Sequence, residues 1–306
     1  MAILNGIVSK ISGSAGNLTF RRNSGRTILS EKVTNVKVSR TEAQQRHRCK
    51  WANTVAMYKG IRPLINYGFE NKPSNLSDYN MFVKVNMQQM PVYLTKSAVA
   101  GGACVAAPYQ LTQGSLPSIV ITGEGNTAVT DIFLGGENLA ASTTVAAFSK
   151  AVVENNPDYH YGDQISYFIV KQKVNETTNI PYCQFEGHKV VLDASNDAKL
   201  WSVVPKNGFF SQDGCIGKYG NDGDCVFCWV HSRKASNGKI LVSSQNFINA
   251  NSKFSDYTSD LAYNLAANSY GTSKDVFLAP DRNVNGNDNV NAGSGSGGSQ
   301  GGGDSL

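Results

Sequence analysis

Cys225-Val226-Phe227-Cys228, with Cys215 upstream and His231 downstream, is the one local grouping in the sequence that carries the donor types of a metal site. Zinc is held by thiolates and imidazoles in tetrahedral sites, and a C-x-x-C pair commonly supplies half of such a set. The surrounding text, CVFCWVHS, is made of β-branched and aromatic residues and reads as a strand. Side chains alternate along a strand, so Cys225 and His231 are expected on one face and Cys228 on the other. Buried structural thiols are therefore expected at Cys215, Cys225 and Cys228, with no metal and no cofactor. A redox C-x-x-C normally opens a helix after a strand, which this segment does not. The six cysteines are too scattered for a small disulfide scaffold and are expected to be reduced.

Other catalytic patterns do not assemble. The histidines His47, His160, His188 and His231 are far apart, and none belongs to an H-E-x-x-H motif. No G-x-S-x-G elbow between a strand and a helix is expected, and Gly114-Ser115 runs into Leu116-Pro117 as a turn. Neither Gly101-Gly102 nor Gly135-Gly136 is followed by Lys-Ser or Lys-Thr, so no phosphate loop is expected. A non-catalytic protein is the expectation.

Charge carries more information. The net charge of +5 hides twelve basic against two acidic side chains in residues 1–62, a local balance of +10 that leaves −5 for the rest. A segment this basic attracts polyanions through counterion release, or docks on an acidic surface of a neighbouring copy. Arg21, Arg22, Arg26, Arg40, Arg46, Arg48 and Lys50 are the candidate contacts to nucleic-acid phosphates or to a neighbouring subunit. Without a zinc finger, recognition helix or RRM-type aromatic motif, any such contact to nucleic acid would be independent of base sequence. Phe20 and Trp51 could stack on bases, but fit better as core anchors.

These side chains need elements to place them. Short strand-like runs Leu18–Arg22 and Arg26–Glu31 flank Asn23-Ser24-Gly25, which predicts a β-hairpin carrying Arg21, Arg22 and Arg26. Thr41 and Gln44 form a capping box for a helix reaching about Lys59, with Trp51, Val55 and Tyr58 as its apolar stripe and Arg46, Arg48 and Lys50 outside it. A shorter helix is expected from Ser77 through Val85, and another over Ser142–Glu154 behind a serine cap. Strands are expected at Val92–Leu94, Ser118–Thr122, Asp131–Leu134, Gln164–Lys173, Lys189–Leu192, Ala198–Val204, Cys225–Ser232 and Lys239–Ser243. The composition, poor in charge at 17% and rich in Asn, Ser, Thr and Gly, agrees with short strands and many turns.

The fold class expected is mainly β, α+β overall. A hairpin-plus-helix module over residues 1–88 precedes an antiparallel β-sandwich or jelly-roll-like barrel over 89–280. Residues 281–306, rich in Gly, Ser and Asn, have almost no side chain able to offset the cost of ordering and are expected to be a disordered tail. MAILNGIVSKISG lacks an apolar core of signal-peptide length, and no run of eighteen apolar residues occurs, so neither Sec export nor a membrane span is expected.

The run GIVSKISGSAGNLTFRRNSGRTILSEKV, followed by SRTEAQQRHRCKWANTV, resembles the opening of an uncharacterised family of proteins from Bacteroidota and their mobile elements. Its G-x-x-G-N stretch is matched by Gly13-Ser14-Ala15-Gly16-Asn17, and its R-T-x-x-Q helix start by Arg40-Thr41-Glu42-Ala43-Gln44. Leu111–Leu116 and Leu241–Gln245 look like its weaker strand motifs. The likeness is good over residues 6–86 and patchy afterwards; the chain departs by its length, with extra material between about 120 and 240 and a glycine-rich tail. The resemblance implies no activity, cofactor or site residue.

Together these features lead to the expectation of a homo-oligomeric structural protein of a virion or similar assembly: a coat, decoration or tail component, found in the virion or in the cytoplasm before assembly. The alternatives are a bacterial β-sandwich protein that binds a ligand or partner through surface loops, and a hydrolase whose site forms only in three dimensions.

Overall fold

The computed structural model describes residues 2–4, 11–23, 26–32, 42–65, 67–73, 75–123 and 125–270. In chain order the elements are β1 (Ala2–Leu4), β2 (Gly13–Ala15), β3 (Leu18–Asn23), β4 (Arg26–Glu31), α1 (Glu42–Ile61), α2 (Asp78–Gln89), α3 (Lys96–Ala100), β5 (Gln110–Thr112), β6 (Ile121–Thr122) and β7 (Val129–Phe133). There follow α4 (Val145–Asn155), β8 (Gln164–Val174), β9 (Pro181–Val191), α5 (Leu200–Val203), β10 (Phe210–Gln212), β11 (Cys215–Gly217), β12 (Cys225–Lys234), β13 (Ile240–Val242), β14 (Gln245–Asn246), β15 (Ile248–Ala250) and α6 (Asp260–Ser269). Among the described residues helix and strand occupy similar shares, 28% and 31%, so the fold is mixed α+β with mostly antiparallel sheets rather than mainly β.

The centre is a five-stranded sheet in the order β13-β12-β8-β9, with β15 also on β12. β8 pairs with β9 from Gln164↔Val191 to Val174↔Pro181, and with β12 from Ser232↔Gln164 to Cys225↔Lys171. Every residue from Cys225 to Ser232 is buried, because both faces of this sheet are covered. One face supplies Ile165, Tyr167, Ile169, Phe227 and Trp229 to a core shared with α4 and with the small sheet β10-β11-β7-β6. The other supplies Phe168, Val170, Val226, Cys228 and Val230 to a second core with Met57 and Ile61 of α1 and Phe82 of α2. That second core runs across residue 88, so α1 and α2 share their packing with the central sheet.

Several sequence expectations change here. Ala198–Val204 is no strand: it contains α5, whose Leu200 is buried while Val203 is exposed. Val92–Leu94 has no strand partner, and of Ser118–Thr122 only Ile121–Thr122 pairs. β9 extends back to Pro181, well before Lys189. The cap of α4 is Thr144, whose hydroxyl accepts from Ala147 N, not Ser142. Asp213-Gly214 joins β10 to β11 with positive φ at both residues, 51° and 76°, as a two-residue hairpin turn requires.

The N-terminal strands form their own antiparallel sheet, β1-β4-β3-β2, and the expected hairpin is present, with Asn23 paired to Arg26. Its connecting residues Ser24 and Gly25, the capping residue Thr41, Arg40 and the 281–306 tail lie outside the described residues. Among the described side chains of this sheet Thr27 alone is buried; Phe20, Ile28 and Leu29 are half-buried and Leu18 is exposed. Phe20 is thus not a core anchor within one chain.

Candidate functional site

Helix α1 buries a different stripe from the one its apolar residues suggest. Gln45, Cys49, Asn53, Met57 and Ile61, four residues apart each time, face inward. Asn53 is the reason a polar stripe can be buried. Its amide donates to Val105 O at 3.0 Å and to the Tyr109 hydroxyl at 3.1 Å, while its carbonyl accepts from Val105 N at 2.7 Å. This clamp fixes the buried segment 103–107 against the helix. Trp51, Val55 and Tyr58 are displaced sideways as a consequence, and Trp51 is 38% exposed, so it is not a core anchor either.

Trp51 and Val55 line a groove of about 880 Å³ between α1 and β9, while Tyr58 packs on Tyr79 and Phe82 of α2. Gly60 and Phe185 let the two elements approach, since a Cβ at position 60 would collide with the Phe185 ring. Trp51, Val55, Ala56, Tyr182 and Phe185 give the groove an apolar lining; Tyr270, the last described residue, also lies on it. His47, Arg48 and Lys59 stand on its α1 wall, and among the described residues no Asp or Glu lines it. Trp51 is steadied by His47, ring centroids 5.4 Å apart, and by the edge of Tyr79 at 6.5 Å. Cys183 donates from its thiol to Cys104 O at 3.2 Å, and hydrogen bonding with Cys104 together with burial pushes that thiol well above its ordinary pKa. Such a groove offers apolar contact with a cationic rim.

The candidate basic residues do not converge on one surface. Arg21 and Arg22 are exposed and consecutive in β3, so they point to opposite faces of the N-terminal sheet. Arg26 is placed by its backbone opposite Asn23, and Arg40 lies outside the described residues. On α1, Arg46 stacks over the ring of Tyr263 in α6 at 4.9 Å. Arg48 turns to the groove, with an Nη1 contact to Gln45 Oε1 at 3.5 Å, and Lys50 is half-buried. The single basic side expected of this helix is therefore split between α6 and the groove.

Nor do Cys215, Cys225, Cys228 and His231 form one centre. Cys215 sits in β11 of the small sheet, Cys225 faces the first core and Cys228 the second, following strand alternation. Burial raises the Cys225 thiol to about 11 and the Cys228 thiol well above its ordinary value. Among the described residues no three His, Cys, Asp or Glu side chains come together as metal ligands.

His231 belongs instead to a cluster that no local motif announced. Asp163, just before β8, is almost fully buried and meets His231 Nε2 at 2.9 Å. Arg233 donates to both its oxygens, from Nε and from Nη2, each at 2.6 Å, and His160 N donates at 2.9 Å. Burial by itself would raise the Asp163 pKa; the hydrogen bonds from Arg233 and His231 outweigh it and hold the carboxyl well below the usual range. Tyr159 stacks on His231 at 4.3 Å, and burial, then Asp131, Asp158 and Asp163, push its phenol well up. Arg233 Nη2 also reaches Asp158 O at 2.7 Å. With its carboxylate fully engaged, the cluster ties the turn before β8 to the end of β12. The only sequence signal was the His231 and Arg233 spacing of two, which puts both on one strand face.

Comparisons of this chain with models of known families, with curated proteins and with solved structures find no match.

Proposed function

We propose that this chain is a non-catalytic structural protein that assembles with copies of itself into a virion or a similar particle, as a coat, decoration or tail component. Its basic N-terminal module would face nucleic acid, without base specificity, or a neighbouring subunit. The observation that carries the reading is the N-terminal sheet. It presents Arg21 and Arg22 to solvent while Ile11 and Leu18 are exposed and Phe20, Ile28 and Leu29 only half-buried. A sheet normally buries an apolar face against another layer, and a subunit contact would supply that layer. The small sheet β10-β11-β7-β6 and the central sheet, sharing one core, support reading this part of the chain as a sandwich.

Light scattering with negative-stain microscopy tests the reading: rings, tubes or shells are expected at micromolar concentration. A protein that stays monomeric across salt and concentration would overturn it. The apolar groove favours a second reading, a sandwich protein that binds a partner, in which case a monomer would still capture a ligand there.

A further inference from the structure

β9 is the edge strand of the central sheet, paired only with β8 among the described residues. Pro181 O accepts from Cys104 N at 2.9 Å, and beyond that point, among the described residues, no backbone hydrogen bond joins β9 to any element but β8. The open edge begins at Tyr182 and Cys183, the same residues that line the groove against α1. An unpaired edge beside an apolar trough is the geometry by which sheets accept an added strand: the edge supplies main-chain partners and the trough takes alternate side chains.

We infer that the α1–β9 groove is a strand-acceptor site for an extended apolar segment of a second copy of this chain, and that the segment is Val276-Phe277-Leu278. Beyond Tyr270 the sequence has a single uninterrupted apolar run, Val276 to Ala279, and everything after Pro280 is dominated by Gly, Ser and Asn. Tyr270 lies on the groove, and six residues extended cover about 20 Å. Where subunits pack with α6 near β9, as the inference requires, the run would reach the groove of an adjoining copy. Asp275 precedes the run, and the wall that would receive it carries His47, Arg48 and Lys59 with no acid. Head-to-tail exchange of this kind propagates into rings or filaments. The inference rests on the assembly reading.

Trp51 reports on the groove, being exposed within it, whereas Trp229 is buried and Trp201 lies elsewhere. Acrylamide quenching of the full-length chain should be concentration-dependent, with about three quarters of Trp51 shielded when the total chain concentration is about ten times the dissociation constant, because donor and acceptor are the same chain. In Phe277→Asp the Trp51 component should be equally quenchable at every concentration, and Trp51→Phe should lose the concentration-dependent part of the signal. Identical quenching of the wild type and Phe277→Asp would overturn the inference. Shielding lost in Phe277→Asp but independent of concentration would overturn it as well, by placing the segment in its own chain's groove. Light scattering on the same samples separates the two ideas: particles that persist in Phe277→Asp sink the strand-acceptor site and leave the assembly reading standing, whereas a wild type that is monomeric throughout sinks both.

Discussion

Replacing Asn53 by alanine isolates what holds α1 in place. The substitution removes the acceptor for Val105 N, at 2.7 Å, and the donor to Val105 O, at 3.0 Å, in a segment where Val105 is fully buried. No water can take their place without opening the second core, so both backbone groups lose their partners. Each orphaned buried group costs about 1–3 kcal/mol, a loss of roughly 4 kcal/mol for the pair. The Tyr109 hydroxyl also loses a bond but keeps Thr54, so it adds little. Alanine's better helix propensity returns about 0.7 kcal/mol, leaving a net destabilisation of about 3 kcal/mol. Urea unfolding followed by circular dichroism reads this as a midpoint lowered by about 1 M at unchanged m-value. A loss under about 1 kcal/mol would refute the idea that a polar clamp, rather than an apolar stripe, orients this helix.

Three further outcomes are expected. Asp163 has its folded-state pKa depressed, so its stabilising contribution is fully present above the unfolded value near 3.9 and disappears as pH falls through the folded value; Asp163→Asn should flatten the acid limb of the stability curve, and an unchanged limb would refute the assignment. Gly60→Ala places a Cβ against the Phe185 ring and should destabilise by about 1–3 kcal/mol in thermal unfolding, where stabilisation from helix propensity alone would show that the contact is not tight. Combined replacement of Arg21, Arg22 and Arg26 by Ala should weaken retention of duplex DNA and lower its log–log salt slope by about 2.7 if all three neutralise phosphates; retention with an unaltered slope would remove nucleic acid from the list of partners.

Of the three long strands β8 and β12 were legible because their signals are local, whereas most of β9 was not. β8 and β12 are continuous β-branched and aromatic runs bounded by Gly and Asp, and such runs have few other ways to be buried. The N-terminal hairpin was legible from its turn residues, and strand alternation alone separated Cys228 from Cys225 and His231. Asp213-Gly214 is an equally good turn signal, but its flanking strands are only three residues long and leave too short an alternation to mark them. Charge asymmetry is likewise a property of the sequence alone.

Which way those charges and helices face was decided by tertiary contacts. α1 carries its apolar residues at Trp51, Val55 and Tyr58, yet it buries Asn53, because a buried amide that satisfies a backbone donor and acceptor is as admissible in a core as a leucine. The same rotation splits Arg46 from Arg48 and opens the groove. The Asp163 cluster needed β8 and β12 to align residues about seventy positions apart before one carboxylate could neutralise Arg233 and orient His231. Periodicity reports the hydrophobicity of side chains, but a hydrogen-bond partner exists only after the chain has folded, so sites made of paired polar groups are settled by the fold.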